Sequence, residues 1–145
     1  MLKKIDHIAI IVKNADEALK TYSGMFGFEV EEELEGPGGE FKAVMVKVGD
    51  IRVEFLQPMT DEGSFARFLK ERGGGLHHVS FATNNINQDL KTLKEQNRRL
   101  INEEPMALPN GDKIAFVHPG AAENVLIELV QRARSYPQMP NIKLA

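Results

Sequence analysis

Four residues of metal-ligating type recur at matched places in this chain. IDHIAIIVKNADEALKTY (Ile5 to Tyr22) returns as LHHVSFATNNINQDLKTL (Leu76 to Leu93), shifted by 71 residues. His7 falls on His78, Asn14 on Asn85, and Leu19-Lys20-Thr21 on Leu90-Lys91-Thr92. Later in each half an apolar segment carries one acid: VEFLQ (Val53 to Gln57) and IELVQ (Ile127 to Gln131), so that Glu54 falls on Glu128 and Gln57 on Gln131. Each half supplies one early His and one late Glu. Two halves related by a pseudo-twofold would bring two imidazoles and two carboxylates together.

A Glu inside an apolar strand needs a partner, because an unpaired buried charge costs several kcal/mol. A salt bridge to Arg52 or Lys113 would satisfy one such Glu. The same pair of residue types at matched positions in both halves favours joint ligation of one divalent ion by His7, Glu54, His78 and Glu128. Neutral imidazole and carboxylate suit Co, Ni, Zn, Mn or Fe, and no thiolate forces a closed tetrahedral site. Four protein ligands on an octahedral ion leave two positions open, as a chelating substrate requires. Two carboxylates formally cancel the dication. His77 precedes His78, and strand alternation places the two on opposite faces. The repeat selects His78 as the ligand and leaves His77 a supporting role. His118, in VHPG, is a further candidate to line the site.

The elements that must position these residues also repeat. Lys4 to Val12 is apolar and β-branched and reads as a buried strand. Asn14 with Glu17 is a capping-box variant that starts a helix at about Ala15, with Ala18, Leu19, Tyr22 and Phe26 on its apolar side and Gly27 ending it. FEVEEEL, a Gly/Pro turn (Gly36 to Gly39), FKAVMVKV, the turn Gly49-Asp50 and IRVEFLQ complete a β-α-β-β-β unit. Ser64 is expected to cap a short helix, FARFLKER, with Phe65, Phe68 and Leu69 on one face, stopped by Gly73-Gly74-Gly75. A second β-α-β-β-β unit then begins with the strand Leu76 to Thr83. Asn85 with Gln88 repeats the capping signal. Leu90, Leu93 and Leu100 form the apolar side of the second helix, and Asn110-Gly111 makes a turn before the strands KIAFVHP and NVLIELVQ. The reading is one α+β domain over 1-145: a first βαβββ module at 4-58, a connector at 59-75 and a second βαβββ module at 76-131.

Composition limits the alternatives. The chain of 145 residues is 42% hydrophobic and 27% charged, with a net charge of -3 and no basic tract, so nothing points to nucleic acid. No apolar run approaches the ~20 residues that span a bilayer. The apolar run near the N-terminus is short and broken by Asp6 and His7, which argues against a signal peptide. With no Cys there is neither a disulfide framework nor thiolate chemistry. A cytoplasmic protein is the expectation.

The segments DHIAIIVKNADEAL, GDIRVEFLQP, SFARFLKERGGGLHHVSFAT, NEEP, KIAFVHP and VLIELVQ resemble the vicinal oxygen chelate (glyoxalase/bleomycin resistance) superfamily, nearest to the methylmalonyl-CoA epimerases. The resemblance runs from Ile5 to Gln131. It implies two modules set edge to edge in one curved sheet around a metal, in a homodimer, with His7, Glu54, His78 and Glu128 at the family's ligand positions. It also implies a small-molecule thioester substrate: the metal holds two oxygens of a methylmalonyl group, and proton removal and return on opposite faces inverts the carbon through a chelated enolate. Glu128 is the candidate base. Some epimerases carry a second acid/base Glu in the third strand, and the matching position here is Ala43. Either Glu128 acts as a single base, or Glu40, His118 or a metal-bound water replaces that group. The family's Gly-rich stretch before KIAF is Ala107 to Gly111 here, its HPK is His118-Pro119-Gly120, and the Gly before VLIEL is Asn124. Lys42, Lys113 and Arg132 are the cations considered for a CoA tail. The alternative on the same ligands is a glyoxalase I-like lyase acting on a glutathione hemithioacetal, with Arg52 and Arg99 as cations. An extradiol dioxygenase would leave Glu54 surplus. A binding module of this fold would not need all four ligands.

Overall fold

The computed structural model describes residues 2–134. The C-terminal segment with Pro137 and Pro140, expected to carry no periodicity, lies outside the described residues. The first unit runs β1 (Leu2–Ile11), α1 (Ala15–Phe26), β2 (Val30–Glu35), β3 (Phe41–Val48) and β4 (Ile51–Pro58). After α2 (Ser64–Arg72), the second runs β5 (Gly75–Thr83), α3 (Ile86–Glu95), β6 (Met106–Ala107), β7 (Lys113–Val117) and β8 (Ile127–Gln131). The strands form one curled sheet in the order β2-β3-β4-β1-β5-β8-β7-β6. β1 and β5 meet antiparallel at its centre, and each pairs in parallel with the last strand of its own unit, β4 or β8. The order is therefore symmetric about the β1/β5 seam.

Capping explains where the helices begin. Asn14 Oδ1 accepts from the Glu17 amide at 2.9 Å, and Asn85 Oδ1 accepts from the Gln88 amide at 3.1 Å, each satisfying a donor the first turn leaves orphaned. The matched glutamines act here too. Gln57 Oε1 accepts from the Ala15 amide and Gln131 Oε1 from the Ile86 amide, both at 2.9 Å. The last strand of each unit thus pins the helix of that unit, which accounts for the second repeated residue of VEFLQ and IELVQ. Gly27 ends α1 in the left-handed conformation at φ 70°.

The sheet separates two apolar layers. On its convex side Ala15, Val44, Val46 and Phe55 pack under α1 with Ala18, Leu19 and Tyr22, and Ile86, Leu90, Ala115 and Leu129 pack under α3. On the concave side Leu34, Phe41, Ala43, Met45 and Leu56 pack with Phe65, Phe68 and Leu69 of α2.

Four local expectations are corrected. Gly63, not Ser64, is the N-cap of α2; its φ of 94° suits glycine alone, and Ser64 is the first helical residue. Phe26 lies on α1 but is 59% exposed, its ring set against Tyr22 and Phe28 rather than in the buried core. α3 stops at Glu95, so Leu100 reaches the core from a later bridge to Val117 rather than from the helix. The fourth correction, at His77, concerns the site.

Candidate metal centre

β1 and β5 carry His7 and His78, and β4 and β8 carry Glu54 and Glu128. In register, Glu54 sits beside Ala9 of β1 and Glu128 beside Ser80 of β5. This pairing turns all four side chains to the concave face at the β1/β5 seam, where each is buried. His7 Nε2 lies 3.3 Å from His78 Nε2, 3.5 Å from Glu128 Oε1 and 3.8 Å from Glu54 Oε1. His78 Nε2 lies 3.2 Å from Glu128 Oε2. The donor atoms of His7, Glu54 and His78 all fall within 4.8 Å of one another. Ligands at the ~2.0–2.2 Å usual for Zn–N and Zn–O bonds lie roughly 3–3.5 Å apart around one ion. The donor set and its spacing fit a divalent cation.

A β-bulge precedes each histidine. Opposite β5, Ile5 pairs with Phe81 and His7 with Ser80, so Asp6 is the extra residue; opposite β1, Ala9 pairs with His78 and Ile10 with Leu76, so His77 is the extra residue. A bulge breaks strict alternation. Asp6 and His77 therefore turn toward their neighbours instead of to the far face, and this corrects the expectation that His77 and His78 point oppositely. His7 Nδ1 donates to Asp6 Oδ1 at 2.6 Å, and His77 Nδ1 lies 2.8 Å from His78 Nδ1. A carboxylate only accepts, so Nδ1 of His7 carries a proton and Nε2 is the nitrogen left for a cation. His77 packs edge-on against Phe65 and Phe68. Burial first, then the charge of His78, lowers its pKa to about 4, so it stands neutral and can accept from His78.

The two glutamates differ. Burial raises the pKa of Glu54, the largest influence, against the opposing pull of His7 and His78. Burial pushes Glu128 the same way, but His78, His7 and the Ser80 hydroxyl, which donates to Oε1 at 2.8 Å, outweigh it and hold Glu128 ionised. Ala9, beside Glu54, offers no hydroxyl. Burial would push the His7 imidazole down, yet Glu54, Glu128 and Asp6 together raise it to about 9 in the cation-free site.

A small chamber of about 20 Å³ lies over the cluster, walled by Phe41, Phe65, Leu108, Ile114 and Met45. Such a space holds an ion or a water, not an acyl group. Ala43 belongs to the same concave layer as Phe41 and Met45. The other sequence candidates lie elsewhere. Glu40 is exposed in the β2–β3 turn. His118 caps a 3-10 turn, its Nδ1 accepting from the Gly120 amide at 2.9 Å. Lys42 pairs with Asp16 at 2.9 Å and Arg52 with Glu31 at 2.9 Å. Lys113 is exposed, whereas Arg132 turns inward to Asp6 and Asp112.

The model of the glyoxalase/bleomycin resistance protein/dioxygenase superfamily matches residues 6–116. The chain belongs to this superfamily. It is 34% identical over 131 residues to the mitochondrial methylmalonyl-CoA epimerase of Bos taurus, covering 90% of this chain and 75% of that protein. It is 28% identical over 133 residues to the ethylmalonyl-CoA/methylmalonyl-CoA epimerase of Cereibacter sphaeroides, covering 90% and 99%. A solved methylmalonyl-CoA epimerase in complex with methylmalonyl-CoA and NH4+ superposes with a TM-score of 0.85 at 28% identity, covering 92% of this chain and 96% of that one. Among the described residues no helix is long and apolar enough to cross a membrane.

Proposed function

We propose that this protein is a metal-dependent isomerase that epimerises methylmalonyl-CoA or a similar 2-substituted malonyl-CoA. The observation that carries the reading is the meeting of His7, Glu54, His78 and Glu128 at one buried point of an epimerase-like chain. When bound there, a divalent ion supplies Lewis acidity toward the carbonyl oxygen of a thioester, where charge develops as the α-proton leaves. The four side chains would hold it, and the two carboxylates would balance its charge.

The chain's own residues divide the remaining work. Glu128, held ionised beside Ser80, is the proton acceptor, as a ligand that would dissociate to take the proton. Phe41, Phe65 and Leu108 wall the chamber with apolar surface, so that it has room for an ion or a water beside the four side chains. Ala43 offers no proton to the far face of the carbon. With Glu40 exposed and His118 committed to its turn, the far face is left to a metal-bound water, or Glu128 serves as a single base. A homodimer is proposed on the likeness to the superfamily.

The test is one epimer of methylmalonyl-CoA in deuterium oxide, with metal-replete protein. Inversion with solvent deuterium at the α-carbon is expected. Neither exchange nor inversion, with turnover of a glutathione hemithioacetal instead, would replace this reading by the glyoxalase-like one.

A further inference from the structure

Arg132 stands outside the duplication. It follows Gln131 where Pro58 follows Gln57, so the first module has no guanidinium at the matching place. Its side chain leaves its own half and crosses the seam to β1. Nη2 donates to Asp6 Oδ1 at 2.5 Å and Nε to Asp6 Oδ2 at 3.2 Å, a forked grip on both oxygens. Nη1 donates to Asp112 Oδ2 at 2.8 Å, and Asp112 Oδ1 accepts from the Ala133 amide at 2.9 Å. Asp6 Oδ1 is also the atom that receives His7 Nδ1. One hydrogen-bonded line thus runs from the β8 end, through Arg132 and Asp6, to the His7 ring. Arg52 Nη1 also lies 3.6 Å from Asp6 Oδ2, but its own fork is held by Glu31 through two bonds of 2.9 Å.

We infer that Arg132 is a positioning residue of the metal centre: by gripping both oxygens of Asp6 it fixes the carboxylate plane that orients the His7 imidazole with Nε2 toward the cation. The inference rests on the metal-site reading above. A forked guanidinium–carboxylate pair sets the angle of the carboxylate as well as its place, which a point charge does not. A carboxylate behind a ligating imidazole governs how that ring is aimed, and loss of such a partner typically weakens metal binding about 10- to 100-fold. Asp112 holds the far side of the guanidinium, so Arg132 is restrained from both ends.

The experiment titrates Co²⁺ alone into metal-free protein against a chelating indicator, for the wild type, Arg132→Met and Arg132→Lys. The His7 ring is followed in parallel by ¹H–¹⁵N correlation spectra, and melting of the metal-free proteins reports the folded fraction. Arg132→Met is expected to weaken Co²⁺ binding about 10- to 100-fold in the folded protein and to disturb the Nδ1-protonated signature of His7. Arg132→Lys, which keeps the charge and loses the fork, is expected to restore only part of the affinity. Folded Arg132→Met with wild-type affinity and an unchanged His7 signature would overturn the inference. Should Arg132→Met not fold, Arg132→Lys decides alone: wild-type affinity overturns the inference and weakened affinity supports it. Wild-type protein that binds no Co²⁺ would instead bring down the metal-site reading itself, with this inference along with it.

Discussion

The two modules share a backbone plan and differ in chemistry. Each has an Asn cap on its helix, a Gln that pins the same helix, a bulge before its histidine and a glutamate in its last strand. Yet Asp6 backs His7 where His77 backs His78, and Ala9 sits beside Glu54 where Ser80 sits beside Glu128. Their first hairpins differ too: β2 is six residues long and β6 two. The parts that place four donors at one point are duplicated. The parts that set how each donor behaves are not.

The strongest test of the shared plan removes one donor from either half. His7→Ala, His78→Ala and Glu54→Ala are each expected to lose stoichiometric metal and activity together, as read by elemental analysis of protein purified without chelator and by turnover. If His78→Ala kept its metal and His77→Ala lost it, the equivalence of the halves would be off by one residue. Glu128→Gln sharpens the difference between the glutamates. It is expected to cut turnover by roughly 10²-fold or more, the scale of a general base, with metal content measured on the same sample.

Sequence reasoning singled out the four residues that meet at the seam because recurrence needs no structure: the spacing of matched residues is enough. It reached α1 and the start of α3 because capping is local. It missed the bulges at Asp6 and His77, since a bulge is a relation between two strands and neither strand records it alone. Alternation, applied strictly, sent His77 to the wrong face. Arg132 was misjudged for a related reason. Nothing near it in the chain marks its partners, which lie 126 and 20 residues away at Asp6 and Asp112. Leu100 joined the helical pattern by spacing alone, although the helix had already ended at Glu95.

Metal removal tests whether the cradle belongs to the folded state. A cation at 100 times its dissociation constant should stabilise the native protein by about 2.7 kcal/mol. Thermal melts with cobalt and with EDTA should therefore differ by several degrees, and coincident melts would remove the site.

The pH dependence follows from the crowding of carboxylates on His7. In the cation-free protein its pKa stands at about 9, above the ordinary value of 6.5. A raised histidine contributes stability that is fully present below the unfolded value and is lost as pH rises through the folded one. Metal-free protein should thus lose this contribution between pH 6.5 and 9. A cation must displace the same proton, so metal affinity should climb with pH up to about 9 and then level off. Affinity flat across that window would mean that His7 is not a ligand.

The smallest expected effect lies in the residues that make the halves unlike. Ser80→Ala removes the hydroxyl that donates to Glu128 and leaves both modules with alanine at this place. An acceptor that loses a buried partner costs about 1–3 kcal/mol when nothing replaces it. The two imidazoles still reach Glu128, so the change should fall at the lower end. Metal should stay bound at full stoichiometry, while proton affinity at Glu128 rises toward that of Glu54. The acid limb of the rate profile should then move to higher pH, with little change at its plateau. An acid limb that stayed in place would mean that the serine does not set the difference between the two glutamates, and that His78 and His7 alone do so.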